Sequence, residues 1–325
     1  MEQNQNHQDK KFIEIKGFEH ISKTVKKTNY IISQYRTGKI TPLLTFSDKL
    51  NDKIEGIYPG DQIVLAARSG VGKSACVNII AKSLIERNSW AKLLFLYWSM
   101  EMPAYQQIVR MYSNKIGKSV KGILSSRNPL DEPSWINLNK YGEDLSAYPM
   151  FFRETPVNAE EWSNAVLNVQ ALYPEHTIVN IYDHIRLISK GNESTEEQRI
   201  SNFMYEGVKV KNKISCINIF LSQLNRNIEN PGNGDRRDIG ASAPLASDIF
   251  GSDSAQQFST VVIILHRPEL YNKKTYSFAG HVIDAEKLIA CHVLKQRDGW
   301  TGLITWEHDL ANNRIWDKQL QLKTT

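Results

Sequence analysis

Residues 67–74, Ala67-Arg68-Ser69-Gly70-Val71-Gly72-Lys73-Ser74, are a glycine-rich segment that ends in a lysine and a hydroxyl residue. The apolar run Gln62 to Ala67 leads into it and predicts a strand, and Lys73 to about Arg87 predicts a helix. A glycine loop between a strand and a helix is the setting in which a P-loop holds phosphate. Backbone N–H groups of such a loop point at phosphate oxygens, and the helix N-terminus adds favourable partial charge.

The P-loop interpretation gives each part of this segment a role. Gly70 and Gly72 let the backbone turn inward, Lys73 would reach the β and γ phosphates of ATP, and Ser74 would ligate Mg²⁺. ATP and Mg²⁺ are therefore the predicted cofactors. The predicted nucleotide-binding residues are Arg68, Ser69, Gly70, Val71, Gly72, Lys73 and Ser74. Ala67 departs from the usual first glycine, and a glycine-rich turn with a chance Lys-Ser pair is the alternative.

Two acidic residues are candidates for the remainder of such a site. The apolar run Ile178 to Tyr182 predicts a strand that ends in Asp183, a carboxylate suited to be the second protein ligand of the metal. Asp183 could instead cap the segment that follows. Glu101 lies just past the predicted strand Lys92 to Ser99, where hydrolysis needs a group that orients water. Taken alone, Glu101 is better explained as an acid near a helix N-terminus.

Short apolar strands alternate with helices along most of the chain. Further strands are predicted at Thr177 to Tyr182, Cys216 to Ser222 and Val261 to His266, and further helices at Pro103 to Ile116, Trp135 to Leu145 and Thr195 to Lys213. This alternation predicts an α/β fold with a mostly parallel central sheet flanked by helices. From Val282 onward, strand, turn and strand follow one another, which predicts an antiparallel C-terminal extension.

The composition is that of an ordinary folded protein. The 325 residues are 41% hydrophobic and 23% charged, which excludes wholesale disorder, collagen and coiled-coil rods. The longest apolar runs fall far below the roughly 20 residues that cross a bilayer, so no membrane partner is expected. Three scattered cysteines fit a reducing compartment, and a cytoplasmic location is expected. The net charge of +5 permits a polyanionic partner without establishing one.

Five ordered segments carry a resemblance to a known family. The first runs from Tyr58-Pro59-Gly60-Asp61 through Ala66-Ala67-Arg68 to Gly72-Lys73-Ser74. The others are Ser99-Met100-Glu101-Met102, Asp183-His184-Ile185-Arg186-Leu187, Ser222-Gln223-Leu224-Asn225-Arg226 and Lys295-Gln296-Arg297-Asp298-Gly299. Together they resemble the RecA-like motor domain of DnaB-type replicative DNA helicases, whose segments read P-G-D-L…A-A-R-P-x-x-G-K-T, S-L-E-M, D-Y-L-Q-L, S-Q-L-N-R and K-Q-R-N-G.

The resemblance spans about Thr41 to Asp317 and implies a RecA-like P-loop NTPase. It implies an ATP-dependent DNA helicase that forms a hexameric ring and translocates on single-stranded DNA during replication. Glu101 would then be the catalytic base and Gln223 the γ-phosphate sensor. Lys295 and Arg297 would enter the neighbouring subunit's nucleotide site as a piston and an arginine finger, which can be worth roughly 10³ to 10⁵ in rate. The implied catalytic residues are Glu101, Lys73, Gln223, Lys295 and Arg297. Without the family, Lys295 and Arg297 would be a solvated turn.

The domain organisation also follows from the resemblance. Residues 1–19 are polar and predict a disordered tail, residues 20–40 predict a linker helix, and residues 41–325 predict the motor domain. The linker helix would dock on an adjacent subunit, or pack as a surface helix on its own subunit. The N-terminal collar domain that family members use to contact primase is expected to be lacking, so primase or a helicase loader is only a candidate partner.

The long glycine-containing stretch Asn225 to Gly251 is the predicted DNA-binding loop. It carries Arg226, Arg236 and Arg237, which would track the phosphates of single-stranded DNA without reading bases. The loop Lys190 to Glu197 could face the same pore or be a plain surface loop. Two family segments near this region differ here, at Asp248 to Asp253 and Gln256 to Thr260. The alternative function is a RecA-type DNA-stimulated ATPase that acts as a switch or loader without unwinding.

Overall fold

The computed structural model describes residues 15–225, 243–297 and 299–319. The chain divides into two units, Met1–Pro42 and Leu43–Thr325. In the first unit, helix α1 covers Ile21–Arg36, and the His20 side chain caps it by accepting a hydrogen bond from the Ser22 backbone N–H. The assignment of residues 20–40 as a linker stays a prediction, and residues 1–14 of the predicted tail lie outside the described residues.

The second unit alternates strands with helices. Its helices are α2 (Asp48–Ile54), α3 (Lys73–Arg87), α4 (Ala104–Ile116), α5 (Val120–Ile123), α6 (Glu132–Ser146), α7 (Ala159–Leu172), α8 (Glu196–Ile214) and α9 (Ser252–Phe258). Its strands are β1 (Gln62–Ala67), β2 (Leu93–Ser99), β3 (Met150–Arg153), β4 (Thr177–Asp183), β5 (Ile217–Gln223), β6 (Val261–His266), β7 (Thr275–Phe278), β8 (His281–Asp284), β9 (Leu288–Gln296), β10 (Gly302–Asp309) and β11 (Arg314–Asp317). Short 3-10 turns cover Ile185–Leu187, Ala246–Asp248, Pro268–Tyr271 and Leu310–Asn312.

One large sheet has the strand order β11-β10-β9-β6-β1-β5-β4-β2-β3. From β6 to β3 every neighbouring pair is parallel. Strands β9, β10 and β11 add to the β6 edge as antiparallel neighbours, and β7 and β8 form a separate hairpin. The predicted mostly parallel sheet with an antiparallel C-terminal extension is therefore confirmed. Across the described ranges, no helix is long and apolar enough to cross a bilayer.

Both faces of the sheet are covered, which explains the continuous apolar runs of the central strands. Leu65 of β1 faces a core that includes residues of α2 and α3, whereas its neighbour Val64 faces a core that includes residues of α7, α8 and α9. All six residues of β1 are buried or nearly so as a result. The carboxyl ends of the parallel strands meet at one edge of the sheet, where ligands of such folds gather.

A row of buried amides crosses the middle of the sheet. Asn180 in β4 donates from Nδ2 to Asn218 Oδ1 at 3.0 Å, and Asn218 in β5 donates from Nδ2 to Gln62 Oε1 in β1 at 3.2 Å. Gln62 then donates from Nε2 to the Met204 carbonyl oxygen of α8 at 3.0 Å. Asn180, which interrupts the apolar run of β4, is thus hydrogen-bonded within a ladder of amides that connects β4, β5 and β1 to α8.

Candidate functional site

The loop between β1 and α3 is shaped by two glycines. Gly70 has φ +78° and Gly72 has φ +108°, in the left-handed region that glycine adopts with little strain. Gly72 is the N-cap of α3, and its carbonyl oxygen accepts the first helical hydrogen bond from Cys76 N at 2.8 Å. The loop therefore ends at the N-terminus of a 15-residue helix, where backbone N–H groups and the helix dipole favour an anion.

Lys73 and Ser74, in the first turn of α3, contact the ends of two neighbouring strands. Lys73 Nζ donates to the carbonyl oxygen of Ser222 at 3.1 Å, and Ser74 Oγ donates to Asp183 Oδ2 at 3.1 Å. The other carboxylate oxygen of Asp183, Oδ1, is buried without a hydrogen-bond partner among the described residues. A hydroxyl beside a carboxylate with a free oxygen is a donor set that suits Mg²⁺.

Burial opposes the charges of this site. Burial raises the pKa of Asp183, against the lowering effect of the Lys73 ammonium. Burial likewise lowers the pKa of Lys73, while the carboxylates of Asp183 and Glu101 oppose that shift. Lys73 and Asp183 are thus removed from water, and the charge of each favours the charged form of the other. Phosphate oxygens near Lys73 and a cation at Asp183 would favour both charged forms further.

Three more polar side chains meet at the ends of β2, β4 and β5. Glu101 follows β2, and its backbone N–H donates to the Asp183 carbonyl oxygen at 3.3 Å. Gln223 is the last residue of β5. Between them lies His184, whose Nε2 is 3.6 Å from Glu101 Oε2 and 3.2 Å from the Gln223 side-chain amide nitrogen. Burial and the nearby cations Lys73 and Arg186 lower the pKa of His184 to about 4. A neutral imidazole therefore joins the two residues at neutral pH.

Sequence reasoning did not single out His184, although it directly follows Asp183. It also missed Arg267, which lies just past β6 and reaches back to the P-loop. Arg267 Nη1 donates to the carbonyl oxygen of Gly70 at 2.9 Å, and Nε donates to Glu269 Oε1 at 3.1 Å. His308 of β10 contacts the same Glu269 oxygen through Nε2 at 2.9 Å. No sequence pattern relates these residues, because the fold alone brings β6, β10 and the P-loop together.

The base of the predicted DNA-binding loop lies beside the same site. Arg68 of the P-loop donates from Nη1 to the carbonyl oxygen of Leu224 at 3.0 Å. On the return side of the loop, the Arg186 guanidinium lies 4.1 Å from the centre of the Phe250 ring. Arg186 also forms an ion pair with Glu196 at 2.9 Å. The predicted DNA-binding residues Arg226, Arg236 and Arg237 lie outside the described residues.

Lys295 and Arg297 are not part of this constellation. Because β9 runs antiparallel to β6, Gln296 pairs with Val261 at the start of β6, whereas the P-loop follows Ala67, which pairs with Leu265 near its end. The four residue-to-residue steps from Val261 to Leu265 separate the two levels by roughly 13 Å at about 3.3 Å per step. Lys295 and Arg297 therefore lie toward the opposite edge of the sheet from the P-loop of their own chain.

Residues 43–316 match the DnaB-like helicase C terminal domain family. The chain belongs to this family. The predicted resemblance to the DnaB-type motor domain is thereby confirmed. Among its relatives, a probable replicative DNA helicase of Trieres chinensis is 27% identical over 82% of this chain and 55% of the relative. The replicative DNA helicase DnaB of Helicobacter pylori strain J99 is 28% identical over 80% of this chain and 51% of the relative. The chain spans about half the length of the curated relatives it matches.

Solved structures show the same fold. One solved ATPase domain superposes with a TM-score of 0.77 at 19% identity, and the match covers 92% of this chain and 99% of that structure. The structure of a DnaB-like replicative helicase and its interactions with primase has a TM-score of 0.74 at 18% identity, over 90% of this chain and 66% of that one. The RecA-like fold predicted for the DnaB-type domain is confirmed by these similarities.

Proposed function

We propose that this chain is an ATP-driven DNA helicase motor of the DnaB type that hydrolyses ATP to move along single-stranded DNA. The observation that carries the proposal is the convergence of P-loop, carboxylates and amide at one edge of the sheet. Lys73 and Ser74 begin α3, Asp183 ends β4, Glu101 follows β2, and Gln223 ends β5. Membership in the DnaB-like family supports the assignment of a helicase motor to this site.

Each side chain has a distinct task in the proposed hydrolysis. The Lys73 ammonium would stabilise charge on the β and γ phosphates, and Gln223 would contact the γ-phosphate. Glu101 would orient the attacking water and accept its proton. Ser74 and Asp183 would hold Mg²⁺, which supplies positive charge to the phosphate oxygens when bound. The buried Asp183 Oδ1 without a described partner supports this assignment.

The proposed motor is completed by a second copy of the chain. Lys295 and Arg297 lie toward the sheet edge opposite the P-loop of their own chain, which supports a role at a neighbour's nucleotide site. An arginine supplied in this way stabilises the charge of the transferring phosphoryl group. We propose a hexameric ring in which Arg297 is the finger and Lys295 the piston, with α1 as the linker helix on an adjacent subunit.

The DNA path and the protein partners belong to the same proposal. The segment from Asn225 to Gly251 starts two residues after Gln223, so strand contacts by Arg226, Arg236 and Arg237 would be coupled directly to the nucleotide site. A similar DnaB-like helicase has been solved with its interactions with primase, which makes primase the protein partner to test first.

The deciding experiment measures ATP turnover with and without single-stranded DNA, and strand separation on a forked duplex. We expect DNA-stimulated turnover with unwinding in the wild type and loss of both in Lys73→Ala. Lys140→Ala, which removes an exposed lysine of α6, is the matched control. DNA-stimulated turnover without unwinding would support the alternative function as a switch or loader. Absence of ATP binding by the assembled wild type would refute both. Mass in solution with ATP and single-stranded DNA tests the ring.

A further inference from the structure

His184 lies between Glu101 and Gln223. The proposed function assigns the attacking water to Glu101 and the γ-phosphate to Gln223. Its Nε2 is 3.2 Å from the side-chain amide of Gln223 and 3.6 Å from the Glu101 carboxylate. The three residues follow or end three different strands, β5, β4 and β2, and Glu101 and Gln223 are 122 positions apart in the chain. His184 is 6% exposed, so water has little access to compete for its ring nitrogens.

The other ring nitrogen fixes where the imidazole proton resides. The backbone N–H of Arg186 donates to His184 Nδ1 at 3.3 Å. A backbone N–H cannot turn round to accept, so this contact requires Nδ1 to be unprotonated and leaves the proton on Nε2. The Nε2–H group then needs an acceptor. Glu101 offers a carboxylate oxygen, and Gln223 offers its amide oxygen because the two ends of an amide can exchange places.

We infer that His184 is a positioning residue that couples Glu101 to Gln223 through one shared Nε2–H donor. The inference rests on the proposed function of those two residues. A single N–H cannot fully satisfy two acceptors at once. When Gln223 turns toward a γ-phosphate, the His184 proton becomes available to Glu101 and orients its carboxylate, and when Gln223 turns back, Glu101 loses that partner.

This coupling has a direct route to the DNA-binding loop. Gln223 is held through its backbone, since its carbonyl oxygen accepts from Phe250 N at 2.9 Å on the return side of that loop. Leu224, the next residue, is bound to Arg68 of the P-loop. A shift of either strand of the loop base would therefore move Gln223 relative to His184. Binding of single-stranded DNA would in this way reach Glu101 and accelerate hydrolysis.

Two variants distinguish the Nε2–H contact with Glu101 and Gln223 from a role in which His184 only caps the following turn through Nδ1. His184→Asn keeps an oxygen near the Nδ1 position, where it can accept from Arg186 N, but has no group at the Nε2 position. His184→Gln places its amide nitrogen near the Nε2 position and so retains a donor to Glu101 or Gln223. If the Nε2–H contact couples Glu101 to Gln223, His184→Gln retains the stimulation of ATP turnover by DNA and His184→Asn loses it. If His184 only caps the turn, His184→Asn retains the stimulation and His184→Gln loses it.

The test compares kcat and KM for ATP in the wild type and both variants, with and without single-stranded DNA. We expect His184→Asn to reduce the stimulation of kcat by DNA about ten-fold, as the loss of one hydrogen bond predicts, with KM unchanged. His184→Gln should retain most of the stimulation. Wild-type stimulation in His184→Asn, or equal loss in both variants, overturns the inference alone. A wild type that DNA does not stimulate overturns the proposed function as well.

A measurement on the folded wild type does not depend on the variants being active. Protein labelled with ¹⁵N-histidine gives separate nitrogen signals for the two ring positions, and the His184→Gln spectrum identifies those of His184. We expect a protonated Nε2 and an unprotonated Nδ1 at neutral pH. A protonated Nδ1 would overturn the inference, because Arg186 could then no longer donate to that nitrogen.

Discussion

Arg267 binds the P-loop from outside, because its Nη1 donates to the carbonyl oxygen of Gly70 at 2.9 Å. The guanidinium is oriented by Glu269, and Glu269 also accepts from the Lys287 backbone N–H at 3.0 Å and contacts His308 at 2.9 Å. Because a trans peptide is planar, the Val71 N–H of the same peptide points away from Arg267, and it donates to the Arg68 carbonyl oxygen at 3.4 Å. Residues beyond β6 therefore hold one peptide of the predicted phosphate-binding loop.

Removal of this support should weaken nucleotide binding. Arg267→Ala deletes a charge-assisted hydrogen bond, and such bonds contribute roughly 1.5 to 3 kcal/mol. We expect the Kd for ATP to rise at least about ten-fold, measured by titration calorimetry. Arg127→Ala, at an exposed bend, is the control and should bind as the wild type does. An unchanged Kd for Arg267→Ala would show that Gly70 is held without it.

The Glu101 carboxylate should be needed for turnover and not for binding. Glu101→Gln keeps the shape of the side chain but cannot accept a proton, and general-base catalysis contributes roughly 10²- to 10⁴-fold. We expect the variant to bind ATP with wild-type Kd and to lose kcat by at least about 100-fold. Glu160→Gln, at an exposed position of α7, serves as the control in the same phosphate-release assay. Near-normal kcat would remove Glu101 from the role of base.

The position of Arg297 predicts complementation between subunits. Arg297→Ala and Glu101→Gln should each be inactive alone, since every interface then lacks one of the two groups. In mixed assemblies, some interfaces pair the intact Glu101 of one copy with the intact Arg297 of its neighbour. We therefore expect ATP turnover to reappear on mixing, whereas a mixture of Glu101→Gln with Lys73→Ala should stay inactive because both act in the same site. Lack of recovery in the first mixture would argue for action within one chain.

Elements with strong local signals were predicted closely. Strand β1 and helix α3 begin and end at the predicted residues, because a run that is apolar from Ile63 to Ala67 leads into a glycine loop and a long helix follows. Strand β3, Met150–Arg153, was missed because it has only four residues and lies at the sheet edge, so its apolar stretch is short. Helix α7 was missed although Asn158 and Glu161 form a capping box that marks its start in the sequence.

The same distinction applies to the candidate site. The P-loop and Asp183 follow from strand ends and spacing, since the carboxyl ends of parallel strands converge. The roles of Glu101 and Gln223 came only from the family resemblance, because an isolated acid or amide has many uses. His184 and Arg267 required the structure, since a histidine after a strand and an arginine after another are ordinary residues until their partners are seen.

The buried amide ladder makes Gly207 of α8 sensitive to a single methyl group. A Cβ at Gly207 would lie 2.4 Å from Gln62 Oε1 and 3.1 Å from the Phe220 ring. Gln62 cannot retreat easily, because it is fully buried and bonded to Met204 and Asn218. We expect Gly207→Ala to lower the free energy of unfolding by about 1 to 3 kcal/mol, as overpacking does.

Urea unfolding monitored by circular dichroism measures this effect on Gly207→Ala. Gly191→Ala is the matched control, because its Cβ would meet only the exposed end of Glu193. The control should change the unfolding free energy by less than about 0.5 kcal/mol. Equal stability of the two variants would mean that α8 can move away from β1 without cost.

His292 in β9 should make the fold sensitive to mild acid. It is 1% exposed and its Nε2 lies 2.7 Å from the Tyr276 hydroxyl; burial, with a smaller effect of His266, lowers its pKa to about 3. In the unfolded chain the His292 side chain has the ordinary histidine pKa near 6.5. Below that pH the unfolded state binds more protons at His292 than the folded state does, so the free energy of unfolding decreases. Between about pH 7 and pH 5 this one residue should remove about 2 kcal/mol from the free energy of unfolding. His292→Gln cannot titrate, so its urea unfolding should depend less on pH by that amount. Parallel pH profiles for the two proteins would show that folding does not lower the pKa of His292.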